Sequence, residues 1–336
     1  MDVPYKIGDF DGKKHLNWKI LKSFTKREDF EKFKERCENS ETGYKIIQIP
    51  CGKCIGCRLA YSRQWANRCI LEAQQYENNQ FVTLTYASEN LSYSKEKQVD
   101  KETGEIFTIP TLVPGDLTKF MKDLRRYYKY HYNHEGIRFY ACGEYGEQYH
   151  RPHFHLIIFN LPIEDLQYLY TTNAKNKVYT SEIISKIWGK GLCSIGEVTW
   201  DSAAYVARYV MKKLKGRESE TYKKLGIVPE FVRMSRNEGI AKAYYEQHKE
   251  EIYKNDEIIL QKKDKVEVVK PCSYYDKMFD IDNHELMEKI KAKRAEIAQA
   301  NQKLQLEKTN LTKEEYLEVK ERNKMAQIQT LKRAFE

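Results

Sequence analysis

Residues 153–159 read His-Phe-His-Leu-Ile-Ile-Phe, and they leave the fold little freedom. Seven residues without Gly, Pro or a formal charge, rich in β-branched and aromatic side chains, predict a strand. Successive side chains of a strand face opposite sides of the sheet, yet here both sides are apolar. Such a strand belongs at the centre of a sheet covered on both faces. Phe81-Val82-Thr83-Leu84-Thr85-Tyr86 has the same character, and residues 137–142 offer another strand, joined to 153–159 by the polar stretch 143–152.

The covering layers must then be helices. Leu117, Phe120, Met121, Leu124 and Tyr128 recur at helical spacing after Pro114-Gly115, with Asp116 as the starting residue. A further helix is expected near 181–188, a strand over 194–199 and a helix from 203 to 214. Residues 87–113 are polar, with a turn at Lys101-Glu102-Thr103-Gly104, and read as an excursion from the core. The pattern predicts an α+β domain over residues 78–216. Before it, residues 1–77 are basic, irregular and hold five of the eight cysteines. After it, residues 217–336 are charged and mainly helical. The composition from 283 on favours helix, and Thr312 with Glu315 forms a capping box ahead of a last helix to about Ala334.

Charge and hydropathy narrow the partners. The 58 Lys and Arg exceed the 49 Asp and Glu for a net charge of +9, which leans toward an anionic partner such as nucleic acid. No apolar run approaches the roughly 18 residues that span a bilayer. Residues 1–5 lack a signal-peptide pattern, so the chain is expected in a cytoplasm with reduced cysteines.

His153 and His155 project from one face of their strand, where neutral imidazoles suit a divalent metal. Ile157 and Phe159 continue that face into the core and place the pair at its edge. A carboxylate should complete the set. Glu144, at the end of the preceding strand, lies beside the histidines if the two strands pair as a hairpin; Glu147 and His150 compete with it. Two imidazoles and a carboxylate leave positions open for a phosphate oxygen.

Ala204-Tyr205-Val206-Ala207-Arg208-Tyr209-Val210-Met211-Lys212-Lys213 is the second pattern. The Tyr-x-x-x-Tyr spacing alone says little, because 25 tyrosines repeat it at Tyr128/Tyr132 and Tyr145/Tyr149. Wound as a helix, Ala203, Ala207, Val210, Met211 and Leu214 form one face. Tyr205, Tyr209, Lys212 and Lys213 fall on the opposite one, with Arg208 at its edge. Tyrosine needs help to attack phosphorus, its reference pKa being about 10, and a cation such as Lys212 favours the phenolate. On the helix from 116, Lys119, Lys122, Arg125 and Arg126 form either an ordinary solvated face or a stripe for DNA phosphates.

These motifs, with Phe81-Val82-Thr83-Leu84-Thr85 and Gly143-Glu144-Tyr145-Gly146, resemble the replication initiators of the microviruses, the gokushovirus branch above all. Those proteins are HUH endonucleases, named for their two-histidine motif. The resemblance covers about residues 50–216. It implies an HUH/RRM-like antiparallel-sheet core flanked by helices, and Mg²⁺ or Mn²⁺ as the metal. It also implies rolling-circle initiation. One tyrosine nicks the origin in supercoiled duplex DNA and keeps a covalent 5′ link. The free 3′ hydroxyl then serves the host polymerase and helicase machinery. A second tyrosine cuts one round later, and rejoining closes a single-stranded circle.

Cys51-Gly52-Lys53-Cys54-Ile55-Gly56-Cys57 carries two overlapping Cys-x-x-Cys units. Their spacing suits a structural Zn²⁺ with a fourth ligand from Cys37 or Cys69, or else reduced, unligated thiols. Two further readings use the same residues. One is a plasmid or transposon nuclease of HUH type. The other is a non-catalytic nucleic-acid-binding protein with a zinc knuckle and the basic helix, which leaves Tyr205 and Tyr209 without work.

Overall fold

In a computed structural model, which describes residues 6–8, 32, 35, 45–47, 52, 54–146, 150–208, 220–262 and 265–330, the histidine strand lies inside a seven-stranded sheet. Its strands are β1 (Asn79–Tyr86), β2 (Arg138–Tyr145), β3 (Pro152–Phe159), β4 (Gln167–Thr171), β5 (Lys177–Thr180), β6 (Gly191–Glu197) and β7 (Phe231–Met234). They run in the order β4-β5-β6-β1-β3-β2-β7, and each neighbouring pair is antiparallel. The chain divides into two compact units, Met1–Arg58 and Leu59–Glu336. Within the first, Lys6–Gly8 pairs with Lys45–Ile47; the second contains the whole sheet.

The helices are α1 (Ile55–Ala73), α2 (Pro114–Tyr132), α3 (Glu182–Trp188), α4 (Trp200–Arg208), α5 (Glu220–Leu225), α6 (Lys242–Asn255), α7 (Ser273–Asp282), α8 (His284–Leu306) and α9 (Lys313–Thr330). Two cores form on the two sides of the sheet. Phe154, Leu156 and Ile158 of β3 pack with Leu117, Phe120 and Leu124 of α2 and Ile184 and Trp188 of α3. Ile157 and Phe159 face the other way, toward Cys69 and Leu71 of α1, residues 203–207 of α4, Tyr245 of α6 and Tyr275 of α7. Phe154, Leu156, Ile157, Ile158 and Phe159 have no exposed surface. At about 1.5–3 kcal/mol for each large apolar side chain buried, this double cover stabilises the centre of the sheet.

Two glycines permit close approaches in the sheet. A Cβ on Gly143 would stand 2.7 Å from the Phe231 ring of β7. One on Gly191, whose φ is +151°, would stand 2.2 Å from the Thr85 carbonyl oxygen. The excursion between β1 and α2 folds into two short ladders, Ser92–Tyr93 with Pro110–Thr111 and Gln98–Val99 with Ile106–Phe107. Tyr145 ties it down: its hydroxyl accepts from Leu112 N at 3.1 Å and donates to the Val228 carbonyl at 2.6 Å.

Helix boundaries depart from expectation where side chains take other work. α2 starts at Pro114, whose fixed φ suits a first turn. Asp116 sits inside that turn and accepts from the Tyr86 hydroxyl at 2.9 Å. β6 ends at Glu197, because Thr199 and Ser202 exchange hydrogen bonds that open α4. The capping box at Thr312 and Glu315 is present, each side chain bonding the other's backbone N–H. Beyond residue 216, β7 completes one edge of the sheet and β8 (Ile258–Lys262) pairs with β9 (Lys265–Val269). Among the described residues no helix is long and apolar enough to cross a membrane.

Candidate metal centre and nucleophile

The pairing of β2 with β3 builds the centre. Glu144 is the Cα partner of His153, and Cys142 that of His155, so the carboxylate and both imidazoles project from one face. One oxygen of Glu144, Oε1, lies 2.7 Å from His153 Nε2 and 3.0 Å from His155 Nε2. Glu144 is fully buried and His155 nearly so. Burial pushes the Glu144 carboxyl up, but hydrogen bonds and charge from His153 and His155 outweigh it and hold the carboxyl at about 2.

The other ring nitrogens set the orientation. His153 Nδ1 lies 3.0 Å from the Arg151 carbonyl oxygen, which only accepts, so the proton is on Nδ1. In the neutral ring the Nε2 lone pair then faces a carboxylate oxygen. Two lone pairs at 2.7 Å repel unless a cation, either a proton or a metal ion, stands between them. His155 Nδ1 pairs with the Thr83 hydroxyl at 2.9 Å, and Thr83 is its Cα partner on β1. Metal-binding histidines are held in this way, with the outer nitrogen occupied and the inner one free to ligate. The ligand atoms of Glu144, His153 and His155 lie within 4.8 Å of one another, compatible with one divalent ion.

Tyr205 meets this group edge-on. Its ring centroid is 5.0 Å from that of His155 at 82°, and 6.2 Å from Phe81 at 83°. Phe81 in turn stacks flat against His155, with centroids 5.8 Å apart and planes at 7°. The expectation that Tyr205 faces away from the core is wrong. All residues from Ser202 to Ala207 are buried, because α4 is enclosed by the sheet together with α1 and α6. A helical wheel assumes one packed side, and this short helix is packed all round. Tyr209, Lys212 and Lys213 lie outside the described residues, while Arg208 ends α4 half-buried.

Other predicted residues are dispersed. Glu147 lies outside the described residues, and His150 is exposed in the loop with φ +47°. The basic stripe of α2 lies across the sheet from Tyr205. There Lys119 and Arg126 pair with Asp123 at 2.5 and 3.1 Å. Arg125 donates to the Ile137 carbonyl at 2.9 Å. Lys122 and Arg125 line a groove of about 560 Å³ with Arg233 and Arg236. Of the cysteine cluster, Cys51 lies outside the described residues, as does Cys37, and Cys54 and Cys57 are half-buried. Cys69 is sealed in the apolar core, where burial pushes its thiol far up, against a role as a thiolate ligand. Sequence reasoning missed Thr83 and the Arg151 carbonyl; the signal for Thr83 was its place in a strand that pairs with the histidine strand.

Residues 79–214 match the family model of the ORF2-type replication-associated proteins. Replication-associated protein ORF2 of Spiroplasma virus 4 is 38% identical over 253 residues, 74% of this chain and 74% of that protein. Replication-associated protein VP4 of Bdellovibrio phage phiMH2K is 32% identical over 212 residues, 63% of this chain and 62% of its own length. Replication-associated protein ORF4 of Chlamydia phage 1 is 31% identical over 172 residues, 49% and 38% of the two chains. No solved structure matches. With its first relative alike across three quarters of both chains, the protein belongs to the replication-associated proteins of the microviruses, the initiators of replication in these small phages.

Proposed function

We propose that the chain is an HUH-type tyrosine endonuclease and strand transferase that starts rolling-circle replication on its phage's origin DNA in the host cytoplasm. The observation that carries this reading is the convergence of His153 Nε2 and His155 Nε2 on Glu144, with the Tyr205 ring against His155. The seven-stranded antiparallel sheet is then the HUH core. A divalent ion bound by these three side chains, Mg²⁺ or Mn²⁺, would polarise the scissile phosphate and offset its developing charge.

The protein's own groups do the rest. The Tyr205 hydroxyl oxygen forms a bond to phosphorus as the P–O3′ bond breaks, and the 3′ oxygen leaves with a proton as a hydroxyl. One phosphodiester is exchanged for a phosphotyrosine, so the bond energy is kept and no external energy source is needed. Attack of a 3′ hydroxyl on that linkage reverses the step and rejoins DNA, with the tyrosine recovering its proton. Phe81, Thr83 and Tyr205 hold the His155 ring, and the Arg151 carbonyl holds His153, so the ligand set is preorganised. Tyr209 serves as the second nucleophile, with Lys212 favouring phenolate. The 3′ end released at the first cut is extended by the host polymerase behind a host helicase.

The test is covalent capture. Incubated with Mn²⁺ and origin single strands, the protein is expected to form a DNA adduct that survives SDS. Tyr205→Phe combined with Tyr209→Phe should abolish it. An adduct of undiminished yield in the double variant refutes the nucleophile assignment. Tight DNA binding without any adduct favours the non-catalytic reading.

A further inference from the structure

The sheet face that carries His155 continues past Thr83 into a cavity of about 480 Å³. Its inner wall includes Phe81 and Thr83, the same two side chains that support the His155 ring. Its outer wall is the β4–β5 hairpin, with Tyr170, Lys175, Asn176 and Lys177. Tyr170 is 52% exposed, an unusual place for an aromatic ring with no structural burial to gain. Lys175 and Lys177 make no ion pair among the described residues. The turn that carries them is braced: Thr172 N donates to the Asn176 carbonyl at 2.9 Å, and Asn176 N donates to the Thr172 hydroxyl at 3.1 Å.

An exposed aromatic beside unpaired cations is how single-stranded nucleic acid is held, base on ring and phosphates on ammonium groups. The volume falls in the range of small-ligand sites, about 300–1,000 Å³, enough for one base out of its stack. A paired base cannot enter, because it is held between its neighbours in the duplex.

We propose that this cavity receives one unstacked base of single-stranded DNA, within a few nucleotides of the phosphate held at the metal centre. Tyr170 stacks on that base and Lys175 and Lys177 contact the flanking phosphates. The proposal deepens the nuclease reading and rests on it for the position of the cut. It makes the hairpin a device for choosing which melted phosphate reaches Tyr205, since the cavity and the ligand set share the wall formed by Phe81 and Thr83.

The experiment uses the full chain in EDTA and fluorescein-labelled single strands tiled across the genome that encodes it, read by anisotropy. On the tightest-binding strand, abasic substitution one nucleotide at a time should reveal one position where wild-type affinity falls about tenfold. Tyr170→Ala should lose a similar factor on the intact strand and lose nothing further at that abasic position. Tyr170→Phe keeps the ring and should bind as wild type does. Wild-type affinity in Tyr170→Ala, an unchanged abasic loss in that variant, or no binding by any tiled strand overturns the proposal. Adduct formation with Mn²⁺ at saturating strand separates the two readings. Base-dependent binding with no adduct refutes the nuclease reading alone, and an adduct with no abasic signature refutes the base cavity alone.

Discussion

His155 is held from three sides, by the Thr83 hydroxyl, the flat face of Phe81 and the edge of Tyr205. Only the first of these fixes which nitrogen points inward. Thr83→Val keeps the side-chain shape and removes the hydroxyl, so it should leave the fold intact and weaken Mn²⁺ binding about 10- to 100-fold. Titration calorimetry measures this, and unchanged affinity in Thr83→Val would show that the hydroxyl does not orient the ring. The donor set itself was legible from alternation along two strands: His153 and His155 share a face, and hairpin pairing brings Glu144 to it. Thr83 was not legible, because a threonine in a strand is ordinary until its partner across the ladder is known. Tyr205 was misread for a similar reason, since its neighbours come from elements distant in sequence.

At the scale of elements, the sheet depends on close approaches that a run of one-letter codes hides. β7 has only four residues, each half-buried, and Phe-Val-Arg-Met has no alternation to announce a strand. It was therefore invisible in a region that reads as mixed, whereas β3 and α2 stand out by their long apolar patterns. Its place beside β2 requires Gly143, because the Phe231 ring occupies the space of a Cβ. Gly143→Ala should destabilise the protein by about 1–3 kcal/mol, the usual range for overpacking. Adding Phe231→Leu should recover part of that loss. Urea unfolding checks both; a Gly143→Ala variant as stable as wild type would mean that β7 moves aside freely.

For the molecule as a whole, Arg294 joins the C-terminal helices into one body. It donates to both oxygens of Asp256, which caps α6, at 3.0 and 2.9 Å through Nε, and to Asp276 of α7 at 2.8 Å through Nη1. Burial raises the Asp256 carboxyl, and Arg294 and Lys270 override it and hold the carboxyl below its ordinary range. A carboxyl lowered in the folded state adds stability above its unfolded pKa of about 3.9 and loses it as pH falls through the lowered value. Arg294→Met should therefore be less stable than wild type above about pH 4, with a gap that narrows as pH falls toward about 2. Denaturant midpoints across that range test it, and a gap independent of pH would count against the ion pair.

Only 9 residues separate Glu144 from His153 and 11 separate it from His155. Closing so short a loop has a small entropic cost, and hairpins form within microseconds. The ligand set thus has very low contact order, unlike the sheet around it, which waits for β7 about 90 residues later in the chain. During synthesis on the ribosome the donors can meet before the C-terminal helices exist, so metal affinity becomes a property of a nascent chain rather than only of a finished enzyme.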